Sequence, residues 1–412
     1  MQLVAYGAQD IYLTGNPQIT FFKVVYRRHT NFSIEAIEQT MNGNAQLGGS
    51  SSVTISRNGD LVYRMYLGLE WNRINFDNSG ALAANIGSAV VNQVELEIGG
   101  QRIDRHTGHW METYVELTND HHHFNQVSVD ATNAYGGGNL LQRSAGINGA
   151  AGPSAGADLR GNSIANLLVP LQFWFCRNVG LALPLIALQY HEVKVNFDFA
   201  SQSSVSTLGV TGVSPNPSPF SNITLWCDYI YLDTDERRRF AQVSHEYLIE
   251  QVQIDTLRNT TGSNRLNFNH PVKELIISGA PSDSPLNASR GPSTPTALDT
   301  QAQLILKLNG HDRFSVRDMT YFTRTQLLEY HNTHGGRAPA STNFQDSIGV
   351  YSFALKPEEH QPSGSCNFSR IDNAELVVQG STPIASLQPL IYAVNYNVLR
   401  IMSGMGGLAY SN

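Results

Sequence analysis

The sequence predicts an all-β protein: two tandem eight-stranded antiparallel jelly rolls with short helical insertions in loops. Three observations predict this. Strand-like segments of the first half recur in the second, in the same order, at a spacing of about 200 residues. Residues 32–40 (FSIEAIEQT) match 247–256 (YLIEQVQIDT), with Ile34-Glu35 against Ile249-Glu250. Residues 94–103 (VELEIGGQRI) match 304–314 (LILKLNGHDRF), each running from apolar/polar alternation into a Gly turn; residues 223–234 (ITLWCDYIYLDT) match 390–401 (LIYAVNYNVLRI). Next, stretches such as 61–69 (LVYRMYLGL) and 191–199 (HEVKVNFDF) combine a two-residue period with β-branched and aromatic enrichment, the signature of strands. Finally, Asn, Ser, Thr and Gly abound, as expected of many turns. Double-sheet jelly rolls limit exposed sheet edges, and two in tandem fit 412 residues.

In chain order, residues 1–29 read as an N-terminal arm. A Gly15-Asn16-Pro17 turn and an aromatic-aliphatic run lead to Arg27-Arg28. The arm is too short for a domain and too apolar to float free, so it packs under the body or against a neighbour. The first jelly roll spans 30–234, with strands expected at 32–40, 52–57, 61–70, 90–98, 166–175, 190–199 and 223–233. Within it, Trp110, Tyr114 and Leu117 recur at helical spacing, which predicts a short helix over 107–117. Residues 131–165, with GGG at 136–138, read as a long surface loop. A linker at 235–243 (DERRRFAQV) forms one or two helical turns, its Arg237-Arg238-Arg239 run solvated or salt-bridged. The second jelly roll spans 244–402, with strands expected at 246–256, 272–278, 302–309, 347–355, 374–379 and 390–401. Its proline-rich segment 280–299 must be an exposed loop, because proline lacks a backbone donor. A C-terminal tail, 403–412, closes the chain.

Composition narrows the function. Hydrophobic residues make up 41% and charged residues 15%, and the formal net charge is −7. That balance argues against wrapping nucleic acid, which needs Lys and Arg to neutralise phosphates. Cys176, Cys227 and Cys366 are too few and too spread for a disulfide framework or a zinc site, which favours a reducing compartment. The start lacks a basic, apolar signal segment, and no apolar run reaches membrane-spanning length. Synthesis and assembly in the cytosol are therefore expected.

The residues that could signal catalysis or metal binding have plainer readings. His121-His122-His123, with His106 and His109 nearby, reads as a polar loop, because adjacent side chains on an extended loop diverge instead of converging on a metal. Gly404-Met405-Gly406-Gly407 lacks the Lys-Ser/Thr of a phosphate-binding loop. No nucleophile elbow or zinc-protease helix is present, so no enzymatic activity and no cofactor are expected. Of the sequons, Asn287, in the proline-rich loop, and Asn259 are the candidate glycosylation sites.

Five long segments carry a family resemblance: GAQDIYLTGNPQITFFKVVYRRHTNFS (7–33), LPLIALQYHEVKV (183–195), YIYLDTDERRRFAQVSHEYLIEQVQ (229–253), SFALKPEEHQPSGSCNFSRIDNAEL (352–376) and AVNYNVLRIMSGMGGLAYSN (393–412). They resemble the major capsid proteins of the nucleocytoplasmic large DNA viruses of algae, amoebae and some animals. The resemblance implies two fused jelly rolls per chain, three chains per capsomer, and an icosahedral shell around a large double-stranded DNA genome. Three subunits with two similar barrels each would form a pseudo-hexagonal tile. It also implies a virion location, contacts with minor capsid proteins, an inner membrane beneath the shell, host contact through outer loops, and no direct contact with nucleic acid. On this reading, Arg27 and Arg28 are candidates for contacts between capsomers or with minor capsid proteins. Two rivals remain at this point: a minor or penton-associated double jelly-roll capsid protein, and a carbohydrate-binding jelly-roll protein outside any lattice.

Overall fold

A computed structural model describes residues 7–72, 83, 85–118, 166–207, 212–281, 293–331 and 346–410. Among the described residues, four antiparallel sheets are built on sixteen principal strands, with five short strands at their margins. The first eight are β1 (Phe32–Gln39), β2 (Ser50–Thr54), β3 (Leu61–Trp71), β4 (Val91–Ile98), β5 (Gln101–Thr107), β6 (Leu167–Pro170), β7 (Val193–Phe199) and β8 (Phe220–Leu232). They pair in the orders β1-β8-β3-β6 and β2-β7-β4-β5. The second eight are β9 (His245–Thr256), β10 (Gly262–Arg265), β11 (Pro271–Ser278), β12 (Gln303–Leu308), β13 (His311–Asp312), β14 (Ile348–Ser352), β15 (Ala374–Gln379) and β16 (Leu390–Met402). They pair in the orders β9-β16-β11-β14 and β10-β15-β12-β13. Adding eight to every strand number of the first sandwich yields the second, so the two halves share one jelly-roll topology.

The register explains why the sequence repeats are visible. Ile98 pairs with Gln101, and Leu308 pairs with His311, so each hairpin turns on two residues. Gly99-Gly100 have φ of 59° and 85°, and Asn309-Gly310 have 52° and 78°. Both turns thus need two left-handed residues, which restricts them to Gly and Asn. A Cβ on Gly99 would also lie 2.2 Å from the His191 ring.

Each sandwich has its own core. In the first, Met65, Leu67 and Leu69 of β3 face Val94 and Leu96 of β4 and Phe197 of β7. In the second, Leu275 and Ile277 of β11 face Leu304 and Leu306 of β12 and Leu376 of β15. The helix expected over 107–117 is α1 (Gly108–Thr118), entered through a hydrogen bond from the Trp110 amide to Thr107 Oγ1 at 3.2 Å. The linker helix is α2 (Thr234–Gln242). There Arg237 Nε donates to the buried Asp60 carboxylate at 2.8 Å, and Phe240 packs beside Leu61 and Ile230. The salt-bridged reading of the arginine run therefore holds for Arg237. In the second half, a π turn (Tyr321–Thr325) runs into α3 (Gln326–Tyr330), so both halves carry a helix between their sixth-position strand and the one before it.

Two stretches depart from expectation. The strand foreseen over 166–175 ends at Pro170, and the chain turns into a short helix, Trp174–Arg177. Proline stops the ladder, and Phe173, Trp174 and Phe175 are buried instead by the turn. The tail also gains a strand, β17 (Met405–Leu408), which folds back on β16 and reaches the first sandwich. There, His191 Nδ1 lies 2.8 Å from Gly406 O, and the Leu408 amide donates to Gln101 Oε1 at 3.2 Å. The loop expected at 131–165 and residues 282–292 lie outside the described residues; the described remainder of 280–299 is not the exposed loop expected, since Ala280, Thr294 and Leu298 are buried, Leu298 in the second core.

Candidate assembly surfaces

The junction between the sandwiches is built around α1. Its residues divide between two cores. Met111 and Val115 belong to the first sandwich, whereas Trp110, Tyr114 and Leu117 lie on the outer face of the second. That face presents Ile276, Val350, Tyr392 and Val394, whose register partners them across β11, β14 and β16. Strands buried on both faces read as near-continuous apolar runs, and β11 is buried from Val272 to Ser278. Gly108 lets the helix begin this close to its neighbours, since a Cβ there would lie 2.1 Å from Ser88 O. His109 Nε2 sits 3.0 Å from Ser278 Oγ, and His109 Nδ1 sits 2.7 Å from Ser293 O. Burial holds the His109 imidazole down at about 4, so it bridges the halves as a neutral ring.

A charged network runs beneath α1. Arg177 of the first half stacks over the Tyr114 ring and lies 3.1 Å from Glu250 of β9. Lys273 of β11 donates to Glu250 at 2.8 Å and to Pro357 O at 2.7 Å. Burial disfavours the charged Glu250, but Arg177 and Lys273 outweigh it and hold the carboxyl below its ordinary value. Next along β11, Glu274 lies 3.0 Å from His331 Nε2, and Glu358 lies 3.0 Å from His331 Nδ1. With a carboxylate against each ring nitrogen, the imidazole is a cation. Burial alone would lower its pKa, but the two carboxylates prevail and raise it to about 9. Removing one member of such a buried set leaves an uncompensated charge, which is costly. Nothing in the sequence spacing brings residues 177, 250, 273 and 331 together; only the pairing of strands does.

Two apolar surfaces have no covering among the described residues. One is the arm. Residues 7–31 make a single helical turn at Ile11–Thr14 and are otherwise irregular, and Tyr12, Phe21, Phe22 and Tyr26 are each more than 85% exposed. A contiguous apolar surface of this kind marks an interaction site. Arg27 and Arg28 lie exposed in the same segment. The other surface is the part of the outer face of β1-β8-β3-β6 that lies away from α2, whose Phe240 covers Leu61 and Ile230. Its core-facing residues alternate with Ala36, Tyr66, Gly68, Leu168, Thr224 and Trp226, which line an open groove of about 510 Å³. Tyr66 therefore serves the outer face rather than the core, unlike Met65, Leu67 and Trp71 of the same strand.

The remaining sequence candidates are placed as follows. Asn259 is exposed, but its side-chain amide donates to Ser263 O at 2.7 Å. Asn287 and His121 to His123 lie outside the described residues. His106 is buried, with Nε2 2.9 Å from Asp104 Oδ2 and its ring stacked on Phe173. Among the described residues, no group of His, Cys, Asp and Glu could hold a metal ion. The three cysteines are free, and burial pushes the Cys176 thiol up to about 12. No described helix is long and apolar enough to cross a membrane.

Comparison with known proteins gives the same picture from both halves. A family described as "Major capsid protein N-terminus" matches residues 20–233, and one described as "Large eukaryotic DNA virus major capsid protein" matches residues 236–407. The major capsid protein of Pyramimonas orientalis virus is 48% identical, over 100% of this chain and 99% of that protein. That of Paramecium bursaria Chlorella virus 1 is 41% identical over the same shares. Among solved structures, PBCV-1 VP54 superposes with a TM-score of 0.72 at 37% identity, covering 95% of this chain and all of the other. The Faustovirus major capsid protein, 13% identical with a TM-score of 0.68 over 96% of this chain and 94% of that one, shares the fold. Full-length identity to capsid proteins, together with the doubled sandwich, makes this chain a structural protein of the virion: it belongs to the major capsid proteins of large eukaryotic DNA viruses.

Proposed function

We propose that three copies of this chain close into a capsomer whose six sandwiches imitate a hexagonal tile, and that such tiles cover the facets of an icosahedral shell. The observation that carries the reading is the strand pairing, identical in both halves when eight is added to each strand number. A closed ring of three copies has threefold symmetry, and two like bodies per copy make it nearly sixfold. The role is geometric, with neither catalysis nor cofactor. The exposed arm, with Arg27 and Arg28, contacts neighbouring capsomers or minor capsid proteins near the shell's base, above an inner membrane. Outer loops of the capsomer meet the host. Glycans on Asn287 or Asn259 would belong on that outer side, and at Asn259 attachment requires releasing the amide from Ser263. Assembly takes place in the host cytoplasm, without direct contact to the genome.

Light scattering on the purified chain tests the reading. A trimer of 45.3 kDa subunits has a mass of about 136 kDa. A species near 45 kDa at all concentrations would refute it and favour a lone carbohydrate-binding sandwich. Copy number in purified virions separates a major from a penton-associated subunit: the major protein dominates the stained gel.

A further inference from the structure

We infer that the open groove on the first sandwich is a docking site for a second copy of this chain, and that its occupant is the exposed side of the Tyr321–Tyr330 helix. The inference rests on the trimeric reading above and says which surfaces close the ring.

The argument comes from the contact already made inside one chain. There, the helix that follows β5 covers the outer face of β9-β16-β11-β14. By the eight-strand correspondence, the counterpart of that covered face is the outer face of β1-β8-β3-β6. The counterpart of α1 is the helix that follows β13, namely Tyr321–Tyr330. In a ring where first and second sandwiches alternate, every step is nearly the same rotation. The step from first to second sandwich is made within a chain. The step from second to first must then be made between chains, with the second-half helix on the next copy's first-half sheet.

The two surfaces are suited to meet. On the sheet, Leu168 is 48% exposed, and Tyr66 and Trp226 are only half-buried. Large apolar side chains at the centre of a patch are typical of binding anchors. On the helix, Leu327 and Phe322 turn inward, whereas Leu328 is 84% exposed beside Arg324, Thr325 and Glu329. Arg324 and Leu328 are four apart and share one side of the helix. The groove is lined by Glu38, Glu70 and Asp228, with Arg64 close to Asp228. Arg324 is paired with Asp346 at 2.8 Å, yet its guanidinium side chain is 60% exposed and can offer further N–H donors to those carboxylates. Leu328 of one copy therefore enters the groove over Leu168 and Trp226 of the next. Because donor and acceptor surfaces differ, the contact is head-to-tail and closes only as a ring.

The test uses the full chain and two substitutions, Leu168→Glu and Leu328→Glu, both on side chains exposed within one copy. Dissociation of the 136 kDa species is followed by light scattering along a guanidinium series. Each substitution is expected to weaken association about 30-fold or more, as loss of an interface anchor does. Hydroxyl-radical footprinting supplies a second reading free of substitution: Tyr66, Trp226 and Leu328 are expected to be protected in the trimer and labelled after dissociation. If the wild-type chain is trimeric, yet both variants associate as tightly and the three residues label equally in trimer and monomer, the inference is overturned while the trimer stands. If the wild-type chain is monomeric, the trimeric reading falls first and this inference with it.

Discussion

Raising the pH should release the second sandwich from a lock at His331. The residue is nine-tenths or more buried, with Glu274 and Glu358 each 3.0 Å from a ring nitrogen. Its pKa rises from 6.5 to about 9: burial pulls it down, and the two carboxylates pull it up further. A group whose pKa is higher in the folded state stabilises fully below its unfolded value and loses that contribution as pH rises through the folded one. At about 1.4 kcal/mol per pH unit, this shift corresponds to about 3 kcal/mol, present at pH 6 and gone by about pH 10. Tyrosines and lysines titrate over the same range, so the wild type alone is not diagnostic. The informative quantity is the stability difference between wild type and His331→Gln at each pH, from guanidinium unfolding at one protein concentration. At pH 6 the variant should be less stable by about 3 kcal/mol, because two carboxylates lose their shared cation. By pH 10 the gap should nearly vanish. A gap that stays constant from pH 6 to pH 10 would show that His331 is not held as a cation, and the reasoning would fail.

Other perturbations probe the junction. Trp110→Ala removes the largest side chain between α1 and the second sheet and should cost about 3–5 kcal/mol, read as lower thermal stability. Gly108→Ala sets a methyl group 2.1 Å from Ser88 O and should destabilise by at least about 1–3 kcal/mol, checked by the same melt. Lys273→Met leaves Glu250 with Arg177 alone and should cost about 3–5 kcal/mol in chemical unfolding. Deleting residues 1–29 should leave capsomer mass, less the arm, unchanged in light scattering while abolishing larger assemblies in electron micrographs.

Local patterns carried much of the fold. The alternation in β3 and β7, the Gly-Gly and Asn-Gly hairpins, and the helical spacing of Trp110, Tyr114 and Leu117 are properties of neighbouring residues, so they are legible in the chain. The duplication was legible for the same reason: equivalent strands face equivalent cores and keep similar patterns. The breaks came where a neighbour in space decides. The run 166–175 reads as one strand because apolar residues dominate it, yet Pro170 ends the ladder and the aromatic cluster is buried by a turn.

What the sequence determined by itself is an all-β chain with its pattern written twice, because period and turn chemistry act over a few residues. What only the tertiary structure decided is which faces remain open and which charges meet. Arg177, Glu250, Lys273 and His331 are scattered along the chain and converge only once β9, β11 and α3 are packed. The same holds for the two matching outer sheet faces, one covered by α1 and the other carrying an open groove among the described residues. Burial and Coulomb attraction depend on distance in space, and distance in space is set by long-range strand pairing that no local pattern encodes.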